Sequence, residues 1–154
     1  MSIQNFTAYN PTRLHFGEGV IQKLGKQTKK YGSKVLLIYG KGSVVKYGYY
    51  QQVVDQLKST GIEIVEYSGI KPNPVIEDVR KASKLGIDEN VDAVVALGGG
   101  SVIDSAKIIS LSIATGLDGW EIMKYQVKAE KALPLICVLT LAATGTEMNA
   151  AAVV

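Results

Sequence analysis

The sequence predicts an α/β fold, an open and mainly parallel sheet with helices on both faces. Two observations carry this. Short strand-like runs (35–39, 63–67, 93–97 and 135–139) alternate at regular spacing with segments of helical period. Three of those runs stop at unusual loops: Gly40-Lys41-Gly42-Ser43, Gly98-Gly99-Gly100-Ser101, and Thr140 to Thr146. If the strands are parallel, all three loops lie on one edge of the sheet. That edge, beyond the carboxyl ends of the strands, is where such folds bind ligands.

Taken in order, residues 5–17 read as an extended N-terminal element. Asn10-Pro11 marks a turn there, and Arg13 to Phe16 alternates polar and apolar, with His15 facing solvent. Residues 20–31 read as a short basic helix with Val20, Ile21 and Leu24 on its inner side, ended by Gly32. Val35 to Tyr39 is continuously apolar, as a strand buried on both faces is. A helix follows over 49–60 with Val53, Val54 and Leu57 inward, then a strand over 63–67. Lys71-Pro72-Asn73-Pro74 is a rigid loop, because two prolines forbid helix. Helix 75–85 and strand 93–97 come next. The helix beginning at Ser101 is apolar on more than one face, which predicts a central, buried position. A long connection over 116–134 carries Trp120 and leads to strand 135–139. Residues 150–154 read as the start of a further buried strand, so the chain is expected to be a piece of a longer protein.

The strand, glycine turn and helix start around Gly98 to Ser101 form an anion site. Glycines let backbone approach a ligand, and the first N–H groups of a helix lack internal partners. The expected ligand is a nucleotide pyrophosphate, with Ser101 as the capping residue. Neither standard fingerprint is present: Ile103 and Val45 stand where G-x-G-x-x-G needs its third glycine, and no G-K-[ST] occurs. Asp104 suits the positive end of the helix and faces either Lys107 or the ribose and nicotinamide end of a cofactor.

Composition narrows the function further. The 154 residues are 47% hydrophobic and 20% charged, which fits one globular domain. The net charge of +3 is mild and its lysines are spread over helices, so nucleic-acid binding is disfavoured. No stretch approaches membrane-helix length, no secretory signal opens the chain, and the one cysteine, Cys137, sits in an apolar run. A cytoplasmic location is expected. His15, the only histidine, has no partner in sequence for a metal site.

NPTRLHFG at 10–17, the GKGS loop, KPNP at 71–74, GGGSVIDSAK at 98–107 and LTLAATGTEMN at 139–149 occur in one order over essentially the whole chain. Together they resemble the iron-containing (group III) alcohol dehydrogenases, and most closely the butanol dehydrogenase branch. The resemblance implies that residues 1–154 are a Rossmann-like N-terminal dinucleotide-binding domain, incomplete at its end. A helical domain that follows would carry the catalytic Fe²⁺ or Zn²⁺ on one aspartate and three histidines, none of them in this chain. It implies that Gly98, Gly99, Gly100 and Ser101 hold the pyrophosphate. It also implies that Thr140, Leu141 and Thr144 line the nicotinamide side, that Asn73 lies near the adenosine half, and that the enzyme forms a homodimer.

In that family the position of Lys41 tends to be acidic in NAD users and small in NADP users. A lysine donates charge to a 2′-phosphate and accepts nothing from ribose hydroxyls. The expectation is therefore NADP(H) over NAD(H), serving hydride transfer between a primary alcohol and its aldehyde. The chain alone is expected to have little turnover. Two other readings stay open: a stand-alone nucleotide-binding module without catalysis, and a relative of dehydroquinate synthase or glycerol dehydrogenase.

Overall fold

The computed structural model describes Asn5, Thr7 and residues 9–154. A 3₁₀ turn, Val20–Lys23, leads into α1 (Leu24–Thr28) and then β1 (Lys34–Gly40). Next come α2 (Ser43–Lys46), α3 (Tyr49–Lys58), β2 (Glu63–Ile70) and α4 (Ile76–Asp88). The second half holds β3 (Ala93–Gly98), α5 (Gly100–Thr115), α6 (Gly119–Met123), β4 (Leu135–Leu139) and a last 3₁₀ turn, Thr146–Met148.

All four strands are parallel, in the order β2-β1-β3-β4. The chain moves outward from β1 to β2 and then crosses back to β3 on the other side of β1. The reversal falls between β1 and β3, which in folds of this kind is where the loops leaving the strands diverge.

Both central strands lie between two helical layers. Val35 to Ile38 and Ala93 to Leu97 are wholly buried. Their side chains alternate between faces. Leu36, Ile38, Val94 and Ala96 meet α4 and α5 through Val79, Ile103 and Ile109. Val35, Leu37, Val95 and Leu97 meet α1 and α3 through Leu24, Val53 and Leu57. Each large side chain buried this way contributes about 1.5–3 kcal/mol from apolar surface. The helix expected to be central is so: α5 buries Val102, Ile103, Ala106, Ile108 and Ile109 on several sides, and it ends at the left-handed Gly116.

Several local readings need correction. The expected basic helix over 20–31 is a 3₁₀ turn and one short α-helix. Here α1 lies backbone to backbone against α3, where a Cβ on Gly25 would stand 2.1 Å from the Gln56 carbonyl oxygen. Two short helices were not legible. One, α2, starts straight after Gly42. The other, α6, is capped by Asp118, whose carboxylate accepts from the Trp120 amide at 3.0 Å and also holds Arg80 at 2.7 and 3.0 Å. No strand forms among the described residues of 5–17, Phe6 and Ala8 lying outside them, and His15 is exposed in an irregular segment. Residues 150–154 form no strand either. Ala152 and Val154 pack on the core while the Val153 amide donates to the Asp104 carboxylate at 3.2 Å, so a side chain takes a bond that a ladder would need. No described helix is long and apolar enough to cross a membrane.

Tyr39 closes β1 beside the binding edge. Its hydroxyl and that of Tyr50 each donate to Glu66 at 2.8 Å, and the two rings lie 5.2 Å apart. Burial first, and the Glu66 carboxylate second, push the Tyr39 phenol up to about 12 from 10.0. The folded state therefore holds this proton more tightly than the unfolded chain. The associated stability is fully present below pH 10.0 and is lost as pH rises through about 12. Urea unfolding of wild type and Tyr39→Phe across that window should show their stability difference shrinking with rising pH. A constant difference would contradict the assignment.

Candidate functional site

The carboxyl ends of the strands place Gly40, Ile70, Gly98 and Leu139 along one edge, and α5 starts in their middle. Gly99 is the N-cap and offers no side chain to the helix end. Its carbonyl accepts from the amides of Val102 and Ile103 at 3.1 and 3.2 Å. The amides of Gly100 and Ser101 precede the helical ladder and lie at the positive end of the helix dipole. A helix of 16 residues therefore points an unfilled set of donors at the edge.

The three glycines meet different surroundings. A Cβ on Gly98 would lie 2.7 Å from Val102 Cγ2, so that position is small for packing. A Cβ on Gly100 would stand 3.4 Å from Thr144 Oγ1, an ordinary van der Waals contact, so the loop after β4 comes close there without requiring glycine. Gly99 differs from both. Its backbone (φ −92°, ψ −165°) suits any residue, and a Cβ there would meet nothing within 4 Å. Nothing in the fold itself requires glycine at 99, and the space over it is open.

Two other loops are tied to this start. Ser101 is not the cap expected of it. It lies inside the first turn, and its hydroxyl donates to the Pro72 carbonyl, fastening the Lys71 to Pro74 loop to α5. Asn73 is exposed in that loop. The Thr140 amide donates to the Gly98 carbonyl at 3.0 Å, which starts the loop after β4 beside the glycines. Thr140, Leu141 and Thr144 are exposed on it. On the β1 side, Gly40 approaches both Ile70 and Val102. Gly42 takes a positive φ of 41° that favours glycine, and Ser43 opens α2. Lys41 is exposed, and among the described residues no ion pair holds it. The expected convergence of loops is thus present, with the Pro72 loop as a fourth member.

Asp104 and Lys107 do something that their spacing does not reveal. Both are largely buried, with side chains 16% and 13% exposed, and their charged atoms stand 3.8 Å apart. Asp104 accepts from the Thr146 hydroxyl and the Val153 amide. Lys107 donates to Thr146 at 2.6 Å, to Asn149 at 3.1 Å and to the Ala151 carbonyl. Burial pushes the Lys107 ammonium below its ordinary range, with Asp104 opposing the shift. Asp104 therefore grips the chain's own 146–153 segment. Thr146 and Asn149 were missed because their partners lie some forty residues earlier, a contact with no local signature.

Among the described residues, no three His, Cys, Asp or Glu side chains gather where a metal ion would be held. The residues present do not fit a metal site, and no metal-dependent step is drawn from them. Cys137 is half-buried, and burial pushes its thiol up to about 11, so it is no ready nucleophile.

A doubly wound α/β unit with an open helix N-terminus at its switch point belongs to the broad class of nucleotide-binding folds. The comparisons narrow that class. Residues 11–154 match the family model described as iron-containing alcohol dehydrogenase, and the chain belongs to that family. It is 48% identical over 147 residues, 96% of its length, to the probable NADH-dependent butanol dehydrogenase 2 of Bacillus subtilis, covering 38% of that protein. It is 43% identical to the NADPH-dependent aldehyde reductase YqhD of Escherichia coli, over 99% of this chain and 39% of that protein. The crystal structure of NADH-dependent butanol dehydrogenase A from Thermotoga maritima superposes with a TM-score of 0.91 at 50% identity, over 95% of this chain and 37% of that one. The chain thus spans about two fifths of the length of the curated relatives it matches.

Gly98 provides a direct check on the geometry. Gly98→Ala brings a Cβ to within 2.7 Å of Val102 Cγ2, and overpacking of this kind costs about 1–3 kcal/mol. Denaturant unfolding should report a loss of that order.

Proposed function

We propose that residues 1–154 form the dinucleotide-binding part of an NAD(P)-dependent alcohol dehydrogenase that interconverts a primary alcohol and its aldehyde. The observation that carries this reading is the open space over Gly99 at the start of α5, where neither packing nor backbone conformation asks for glycine. A pyrophosphate lying across Gly99 and Gly100 would accept from the first amides of the helix without repulsion from a side chain. Gly40, Lys41, Gly42 and Ser43, with Asn73, would receive the adenosine half. Thr140, Leu141 and Thr144 would receive the nicotinamide half.

A bound nicotinamide cofactor supplies hydride chemistry, and the protein supplies binding and orientation. Each loop here contributes accordingly. The α5 amides neutralise phosphate charge, the Ser101 hydroxyl fixes the Pro72 loop beside them, and the Gly98 carbonyl fixes Thr140. Divalent metal and substrate groups belong, in this reading, to parts of the enzyme outside these residues, and so does any dimer contact. The unpaired cysteine fits a reducing, cytoplasmic setting.

For the cofactor we take NADP(H) over NAD(H). Relatives of comparable identity are named for NADH and for NADPH, so the decision rests on Lys41. A charge-assisted bond from its ammonium to a 2′-phosphate is worth about 1.5–3 kcal/mol. Calorimetric titration should therefore give NADPH the tighter binding, and Lys41→Asp should reverse the order. Unchanged selectivity in that variant would remove the basis for NADP(H).

Gly99→Ala tests the reading as a whole. Its melting temperature should equal that of wild type, because the added Cβ meets nothing. Its affinity for the dinucleotide should fall by about tenfold or more, equivalent to at least about 1.4 kcal/mol. Undiminished binding in Gly99→Ala would contradict a pyrophosphate at this place.

A further inference from the structure

The loop after β4 has two anchors and a free span. Its first anchor is the bond from the Thr140 amide to the Gly98 carbonyl. Between Leu141 and Thr144 every residue is exposed. The second anchor is Thr146, which is only 4% exposed. A hydroxyl has one proton to give and two lone pairs. The Thr146 hydroxyl gives its proton to Asp104 and takes one from Lys107 at 2.6 Å. It stands as a bridge between two largely buried, opposite charges 3.8 Å apart. The same ammonium also holds Asn149 and the Ala151 carbonyl, and the same carboxylate holds the Val153 amide. Five polar groups besides the threonine hydroxyl are thus satisfied in one network, and charged hydrogen bonds of this kind are the stronger ones. Thr144, two residues before the bridge, is the residue that comes closest to Gly100.

We infer that Asp104, Thr146 and Lys107 form a positioning cluster that fixes the Thr140 to Thr144 loop against the start of α5, and so sets the affinity for the nicotinamide half of the cofactor but not for the adenosine half. The inference rests on the dinucleotide reading above. The asymmetry follows from topology. GKGS and the Pro72 loop belong to β1 and β2 and touch none of the three residues, whereas the loop after β4 is fastened by all of them. The cluster acts through the loop and need not meet the cofactor itself. Thr146→Val keeps the shape of the side chain but removes both bonds. Thr146→Ser keeps the hydroxyl.

The test compares whole and partial ligands on the intact natural protein that carries residues 1–154. Dissociation constants for NADPH and NADH are measured by calorimetry beside those for 2′-phospho-ADP-ribose and ADP-ribose, which lack the nicotinamide. Thr146→Val should weaken dinucleotide binding by about tenfold and leave fragment binding unchanged, the fragment also reporting that the fold survives. Thr146→Ser should restore dinucleotide binding to within about threefold of wild type. Equal weakening of dinucleotide and fragment, no weakening of either, or failure of serine to restore binding would each overturn the inference. A wild-type protein that binds neither dinucleotide nor fragment would overturn the proposed function itself, and the inference with it.

Discussion

Parallel pairing of two fully buried strands is the constraint on which the rest depends. β1 and β3 have helices on both faces, so every residue from Val35 to Ile38 and from Ala93 to Leu97 is lost to the core. None of these residues is left for chemistry. What remains available is the ends of the strands, and parallel pairing sends all the carboxyl ends to one side. The reversal in strand order between β1 and β3 then keeps that side open. Function is confined to one edge by the same packing that stabilises the sheet.

At that edge, small residues and backbone groups carry most of the arrangement. Gly98 yields to Val102, a Cβ on Gly100 would only touch Thr144, and one on Gly99 would meet nothing in the protein. Charge enters chiefly through the dipole of α5 and through Lys41, which stands exposed and without an ion-pair partner among the described residues. Asp104 and Lys107, by contrast, lie in the body of α5 and spend their charge on the 146–153 segment. The two lysines illustrate how burial decides role. The exposed one carries its charge into solvent, and the buried one must be surrounded by acceptors to stay charged at all.

Much of the fold was legible because its signals are local. Four strand-like runs fall on the four strands, and the doubly apolar face of 101–115 told that this helix is central. The glycine and threonine loops pointed to one edge as soon as parallel strands were assumed. The resemblance of GGGSVIDSAK and LTLAATGTEMN to the iron-containing alcohol dehydrogenases agrees with the family match over 11–154. What failed was whatever depends on partners distant in sequence. Gly25 lets α1 lie against the Gln56 carbonyl of α3, and Asp118 starts an unforeseen helix while paired with Arg80. Ser101 turns away from a cap toward Pro72, and the bond between Asp104 and Thr146 had no local signal. Residues 150–154 looked like a strand by composition, yet the Val153 amide goes to a carboxylate.

The central claim is that a dinucleotide lies across the start of α5 with its two halves on the loops after β1 and β4. Backbone amide chemical shifts followed by NMR during titration with NADPH test this most directly, residue by residue. The account expects the largest changes at Gly99, Gly100 and Ser101, with a second group at Lys41 to Ser43 and a third at Thr140 to Thr144. Changes gathered instead on the helical layer of α4 and α6, around Arg80, Gly116 and Asp118, or an absence of changes at saturating cofactor, would contradict it.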